Sequence, residues 1–203
     1  MQTFQAILDF WFVDQSRQQW FKAGPGFDEE CADTGAHLLA PAAAGDLQPW
    51  LQSPRGRLAF IVLTDQLPRN IHRGTAQAYA WDSLALTASR EGLAAGDDRG
   101  LNGAERTFFY MPFEHSENVL DQHLAVGLFS HLRDESPQEL REQTGNQLRF
   151  AQQHRQIILR FGRFPHRNAV LQRSSTAEEL EFVAAGDGFG QFAQRNPASR
   201  KKI

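Results

Sequence analysis

Three arginines, a histidine and an asparagine fall within nine residues at Arg160-Phe161-Gly162-Arg163-Phe164-Pro165-His166-Arg167-Asn168. A guanidinium carries a rigid fork of donors that matches a carboxylate or a phosphate, so this cluster is suited to holding an anion. An earlier stretch, Asp65-Gln66-Leu67-Pro68-Arg69-Asn70-Ile71-His72-Arg73-Gly74-Thr75, repeats the pattern of apolar run, proline, Arg-Asn and a further arginine. The two are expected to face each other as halves of one polar site. Arg69, Asn70, Arg73, Arg163, Arg167, Asn168 and Arg173 are then the candidates for ligand binding, with Asp65 and Gln66 as their pairing partners within the protein.

Proton transfer needs a group that titrates near neutrality. His115 and His166 supply it, with Glu114 and Glu117 as the neighbouring carboxylates that would hold a charged imidazole. Five motif arginines (Arg69, Arg73, Arg163, Arg167 and Arg173) stand against the three motif carboxylates Asp65, Glu114 and Glu117. If all converge, about two positive charges are left over, and a buried site would take up an anion to neutralise them. The competing reading is a closed network in which Asp65, Arg69, Asn70, Arg167 and Asn168 staple two loops and satisfy helix ends. A metal is not expected: adjacent Glu114 and His115 do not share a helix face, and no recognised ligand spacing is present.

The chain of 203 residues is long enough for one well-cored domain, expected over 1–192 with a polar tail over 193–203. A formal net charge of -3 excludes the broad basic face that nucleic-acid binding requires. Local arginine clusters must therefore serve something smaller. Only Lys22, Lys201 and Lys202 among the basic residues are lysine, which fits forked recognition. No apolar run nears the ~20 residues of a membrane span. The start lacks the basic stretch of a leader, and the single cysteine, Cys31, cannot form an internal disulfide, so a reducing cytoplasm is the expected setting.

The elements that must position these residues read as helices throughout. Phe4, Ile7, Leu8, Phe10, Trp11 and Phe12 give an apolar first helix. The segment 27–44 is helical in composition and is expected to bend or end near Pro41. Ser53-Pro54 opens a helix apolar nearly all round, which predicts a central, buried position. Thr75 is expected to cap a helix running to about Gly96, Ser116 to cap the helix that follows the aromatic run 108–113, Ser136 to open a long helix to about Phe161, and Thr176 a last one to Gly186. No strand alternation occurs, so the fold class is all-α.

In this order, Ile7-Leu8-Asp9-Phe10-Trp11-Phe12, Asp65-Gln66-Leu67-Pro68-Arg69-Asn70, Tyr110-Met111-Pro112-Phe113-Glu114-His115-Ser116-Glu117 and Phe161-Gly162-Arg163-Phe164-Pro165-His166-Arg167-Asn168 resemble the bacterial family catalogued as domain of unknown function 924. The resemblance covers nearly the whole chain. It implies antiparallel helix pairs in a tetratricopeptide-like superhelical bundle, and it implies no activity. Where the family pattern commonly reads Leu-Gly-Arg, this chain has Leu171-Gln172-Arg173, which puts a side chain where a left-handed glycine is expected.

Two functions of different class follow. One is a site for a small anionic metabolite, with Arg69, Arg163 and Arg167 orienting it and His115 or His166 moving a proton. The other is a helical-repeat adaptor that takes a partner peptide, clamping its carboxylate with the same arginines. Neither reading names a reaction or a cofactor.

Overall fold

The computed structural model describes residues 4–20 and 24–186. The expected tail, 193–203, lies outside the described residues. Every element within them is helical. The chain begins with α1 (Phe4–Phe12), whose Ile7, Leu8 and Trp11 are buried, and the single turn α2 (Asp14–Arg17). Next comes α3 (Pro25–Ala44), which starts with proline in its first turn and passes through Pro41 to end at the left-handed Gly45.

The rod at the centre of the molecule has three parts. The first is α4 (Pro54–Ile61), capped by the Ser53 hydroxyl accepting from the Gly56 N–H. A π turn follows over Val62–Gln66, and then α5 (Leu67–Ile71). Leu58, Ala59, Ile61, Val62, Leu63 and Leu67 are fully buried, as an all-round apolar pattern demands. The π turn has a covalent cause close by. Pro68 has no N–H to offer the Thr64 carbonyl four residues earlier, and its ring crowds that carbonyl, while the Leu67 N–H reaches back five residues to Val62. Gly35 lets α3 lie against this rod, since a Cβ there would sit 2.3 Å from a Leu67 methyl.

Beyond the rod lie α6 (Asp82–Ala95), α7 (Gly103–His115), α8 (Val119–Glu135), α9 (Arg141–Phe161) and α10 (Ala177–Ala184). Three caps differ from expectation. Thr75 precedes only a 3-10 turn, Ala76–Tyr79, and its hydroxyl donates to the His72 carbonyl, so α6 begins later, at Asp82. Ser116 ends α7 and donates to Asp121, while the Asn118 side chain caps α8. Ser136 ends α8 and donates back to the Leu132 carbonyl, with a 3-10 turn, Gln138–Leu140, before α9. In each case the hydroxyl donates to a nearby carbonyl or carboxylate and does not accept from the next helix's N–H groups. Thr176 forms the full capping box with Glu179.

One large apolar cluster runs from Ile7 on α1 to Ala151 on α9 and includes the aromatic run of α7. A smaller one gathers Ile157, Ile158 and Phe164, with Phe161 and Phe182 packed against it. Among the described residues the α-helices range from 4 to 21 residues in length. No helix among the described residues is long and apolar enough to cross a membrane.

Candidate functional site

The two arginine motifs meet where the rod's C-terminal half, the first turn of α6 and the 3-10 turn Pro165–Arg167 come together. Asp65 stands in the π turn, fully enclosed. Its Oδ1 lies 3.3 Å from Arg69 Nη1 and 2.8 Å from His115 Nδ1, and its Oδ2 accepts from Gln66 Nε2. Burial alone would raise this carboxyl, but Arg69 and His115 outweigh it and hold it well below the usual carboxylate range. Arg69 also grips Asp82 with both forks, at 2.8 and 3.0 Å. Burial works against its charge, and Asp65 and Asp82 more than restore it.

Arg167 is held differently. It is buried and lies against two rings, with its guanidinium carbon 4.6 Å from the centre of Tyr79 and 4.5 Å from that of Phe164. Its nearest carboxylate oxygen, on Asp82, is 3.7 Å away and already engaged by Arg69. Among the described residues the Arg167 guanidinium donates no hydrogen bond, and its Nε is enclosed without an acceptor. Burial and the neighbouring charge of Arg69 disfavour its cation, and Asp82 offsets this only in part.

The remaining motif residues are spent on the protein itself. Arg73 binds Asp28 at 3.0 and 2.7 Å and donates to Asn70 Oδ1, while Asn70 donates to the Gln66 carbonyl. Arg163 binds Glu179 at 2.7 and 2.8 Å. Arg173 binds Glu117 at 2.7 and 3.0 Å, and Glu117 also accepts from the Phe164 N–H, fixing the loop that carries Arg167. Asn168 donates to Ser175. The expected surplus of about two charges is therefore corrected: Asp28, Asp82 and Glu179, all outside the motifs, take up three arginines, and the unmet guanidinium is Arg167.

The histidines line one wall. His115 and His154 have ring centres 6.3 Å apart; His154 lies edge-on to Phe164 at 5.5 Å, and Phe164 stacks tilted on His166 at 5.6 Å. Glu114 turns to His154, at 3.0 Å, and not to His115. Burial and the positive Arg69 lower His115 despite the adjoining Asp65. Burial, with Arg167 and His154, pushes His166 down to about 3. In both rings burial thus disfavours the cation. No group of three potential metal ligands occurs among the described residues.

Sequence reasoning missed Tyr79, Asp82 and His154. Asp82 was hidden because Thr75 looked like the helix start, which placed it mid-helix. Acidic residues favour a helix's first turn, which is where Asp82 stands. An open groove of about 850 Å3 lies elsewhere, along α9 and α10, lined by Arg149, Gln152, Arg155, Ile157 and Phe182 among others. Among the described residues its lining carries arginines and glutamines but no histidine or carboxylate, so the motif chemistry is sought at Arg167.

The fold and site together define an all-helical protein with a buried arginine–carboxylate–histidine cluster between two sequence motifs. The chain belongs to the family described as bacterial protein of unknown function (DUF924), whose model matches residues 7–187. It is also similar to a solved protein of unknown function from Agrobacterium tumefaciens, at 36% identity and a TM-score of 0.80, covering 90% of this chain and 97% of that one. No curated protein matches.

Proposed function

We propose that this protein binds a small anionic metabolite, a carboxylate or a phosphate, on Arg167, and that His115 moves a proton on it. The observation that carries the reading is the Arg167 guanidinium: buried, within 4.6 Å of two ring centres, and with its enclosed Nε lacking an acceptor. A protein seldom encloses a charged N–H donor and leaves it unmet, and an anion would satisfy it. Arg69 and Asp82 then act as a fixed frame, not as ligand groups. Arg163 and Arg173 support the loop. The peptide-adaptor alternative finds less support, because Asp65, Arg69 and Arg167 lie too deep for a peptide backbone to reach. A cytoplasmic setting fits Cys31, which is buried with its thiol pushed up to about 12 by that burial and by Asp28 and Glu30.

The test is thermal unfolding with sodium acetate or phosphate against a sodium chloride control. Ligand at ten times its dissociation constant stabilises by about 1.4 kcal/mol, which is a rise of roughly 3–6 °C for a chain of this size. Arg167→Met should abolish the rise while leaving the unliganded protein at least as stable, since no hydrogen bond is lost and a buried charge is removed. A loss of ~3 kcal/mol in the unliganded variant would instead mark Arg167 as a structural staple.

A further inference from the structure

Even half-exposed arginines of this chain are held by carboxylates. Arg55, Arg90, Arg133 and Arg160 keep between 41 and 54% of their side-chain surface in solvent, yet each lies within 2.8 Å of a carboxylate oxygen. Arg149 and Arg155 on α9 depart from this. Among the described residues neither makes an ion pair or a hydrogen bond, and the Nε of Arg155 is enclosed without an acceptor. The sequence supplies a reason: it has no aspartate or glutamate between Glu142 and Glu178. Arg160, Arg163 and Arg173, in the same stretch, are met by Glu178, Glu179 and Glu117 from outside it. Nothing does this for Arg149 and Arg155 among the described residues.

Both line the open groove of about 850 Å3 along α9 and α10. With them stand Gln152, Gln153 and Gln156, whose amides also make no hydrogen bond among the described residues, and the apolar side chains of Ile157 and Phe182. The described lining therefore carries two cations, no carboxylate, and three groups that can each donate and accept.

We propose that this groove docks an acidic, extended segment of a partner protein. The arginine forks take its carboxylates, the glutamine amides pair with its peptide groups, and Ile157 and Phe182 receive an apolar side chain. On α9 the lining runs from 149 to 157, about 12 Å of helix rise, which roughly four extended residues would span. A peptide that cannot reach the buried motif arginines can reach these. The chain's own continuation is a poor occupant on charge, since residues 187–203 hold Arg195, Arg200, Lys201 and Lys202 against the single acidic Asp187. The proposal does not depend on the anion held at Arg167.

The experiment is fluorescence anisotropy of the full chain with three short labelled peptides. They share the same phenylalanine and leucine positions and carry glutamate, glutamine or lysine at the others. The glutamate peptide should bind, more weakly as sodium chloride is added, and the lysine peptide should not. Arg149→Ala should weaken that binding about fivefold, the upper worth of one exposed ion pair, with thermal unfolding unchanged because no contact of the fold is lost. The double variant Arg149→Glu, Arg155→Glu should take the lysine peptide instead, and Arg167→Met should bind the glutamate peptide as the wild type does. Failure of the glutamate peptide to bind, or binding indifferent to Arg149, would overturn the proposal. So would a single-stranded oligodeoxynucleotide binding where the glutamate peptide does not, which would give the groove to a phosphate backbone. A dimer that dissociates in Arg149→Glu would give it to a second copy of the chain and overturn the proposal equally.

Discussion

Asp65 and Arg167 are both buried charges near Asp82, yet they should respond in opposite ways to removal. Asp65 holds Arg69, His115 and Gln66 at once, so Asp65→Asn leaves a buried arginine short of its counter-charge and should cost ~3–5 kcal/mol in urea unfolding. Its carboxyl is held below its unfolded value of about 3.9, so the stability it brings is complete above that pH and is lost only in stronger acid. His166 sets the behaviour at milder pH. Its ring stays neutral in the fold down to about 3, while the unfolded chain takes up a proton near 6.5. Each unit of acidification below 6.5 therefore favours unfolding by up to about 1.4 kcal/mol. Between pH 7 and pH 5 the protein should lose about 2 kcal/mol through this ring, and His166→Asn should flatten the slope; an unchanged slope would show that another group titrates. At this scale the sequence was informative about residue types. It named Asp65, Arg69, His115 and Arg167, but not Asp28 and Glu179, which neutralise Arg73 and Arg163, because ion pairs across 45 or 16 positions leave no local trace.

Elements impose the geometry in which these residues meet. The π turn before Pro68 places Asp65 among Arg69, Gln66 and His115, and a proline in an apolar run was visible as a helix disturbance without revealing its form. Caps were legible where the hydroxyl accepts from the next helix's N–H, as at Ser53 and Thr176. They were misread at Thr75, Ser116 and Ser136, where the hydroxyl turns to a nearby carbonyl or carboxylate. The loop after Arg167 keeps the left-handed turn that the missing glycine foreshadowed: Gln172 has φ 55, the one positive value at a non-glycine among the described residues. A side chain in that region costs about 1–2 kcal/mol, part of which glycine's greater freedom in the unfolded chain would return. Gln172→Gly should accordingly stabilise the protein by about 0.5–1 kcal/mol, read as a higher urea midpoint at unchanged slope. A destabilised variant would mean that the glutamine side chain makes up for its backbone.

The whole molecule is built around two apolar clusters of unequal size, and the candidate site spans them. Asp65 and Arg69 belong to the rod at the heart of the large cluster, and Asp82 opens a helix that packs on it. Arg167 and Arg173 ride on the loop of Phe164, which sits in the small cluster with Ile157, Ile158 and Phe182. All-helical architecture and the central rod were legible from apolar patterning, but this division was not, since it depends on which helix ends meet in space. A small cluster of few residues opens more readily than a large one, so α10 and the Pro165–Arg167 turn should exchange amide hydrogens at a lower free energy than the rod. An anion held on Arg167 would favour the closed loop and raise the cost of that local opening by up to the binding free energy. Hydrogen exchange should therefore slow over Ala177–Ala184 on adding acetate or phosphate, whichever binds the tighter, with the rod's slowest amides moving only as global stability does, and Arg167→Met should erase the change. Slowing that persists in Arg167→Met would place the ligand elsewhere on the molecule. No slowing in the wild type, despite measured binding, would mean that the two clusters already open as one unit.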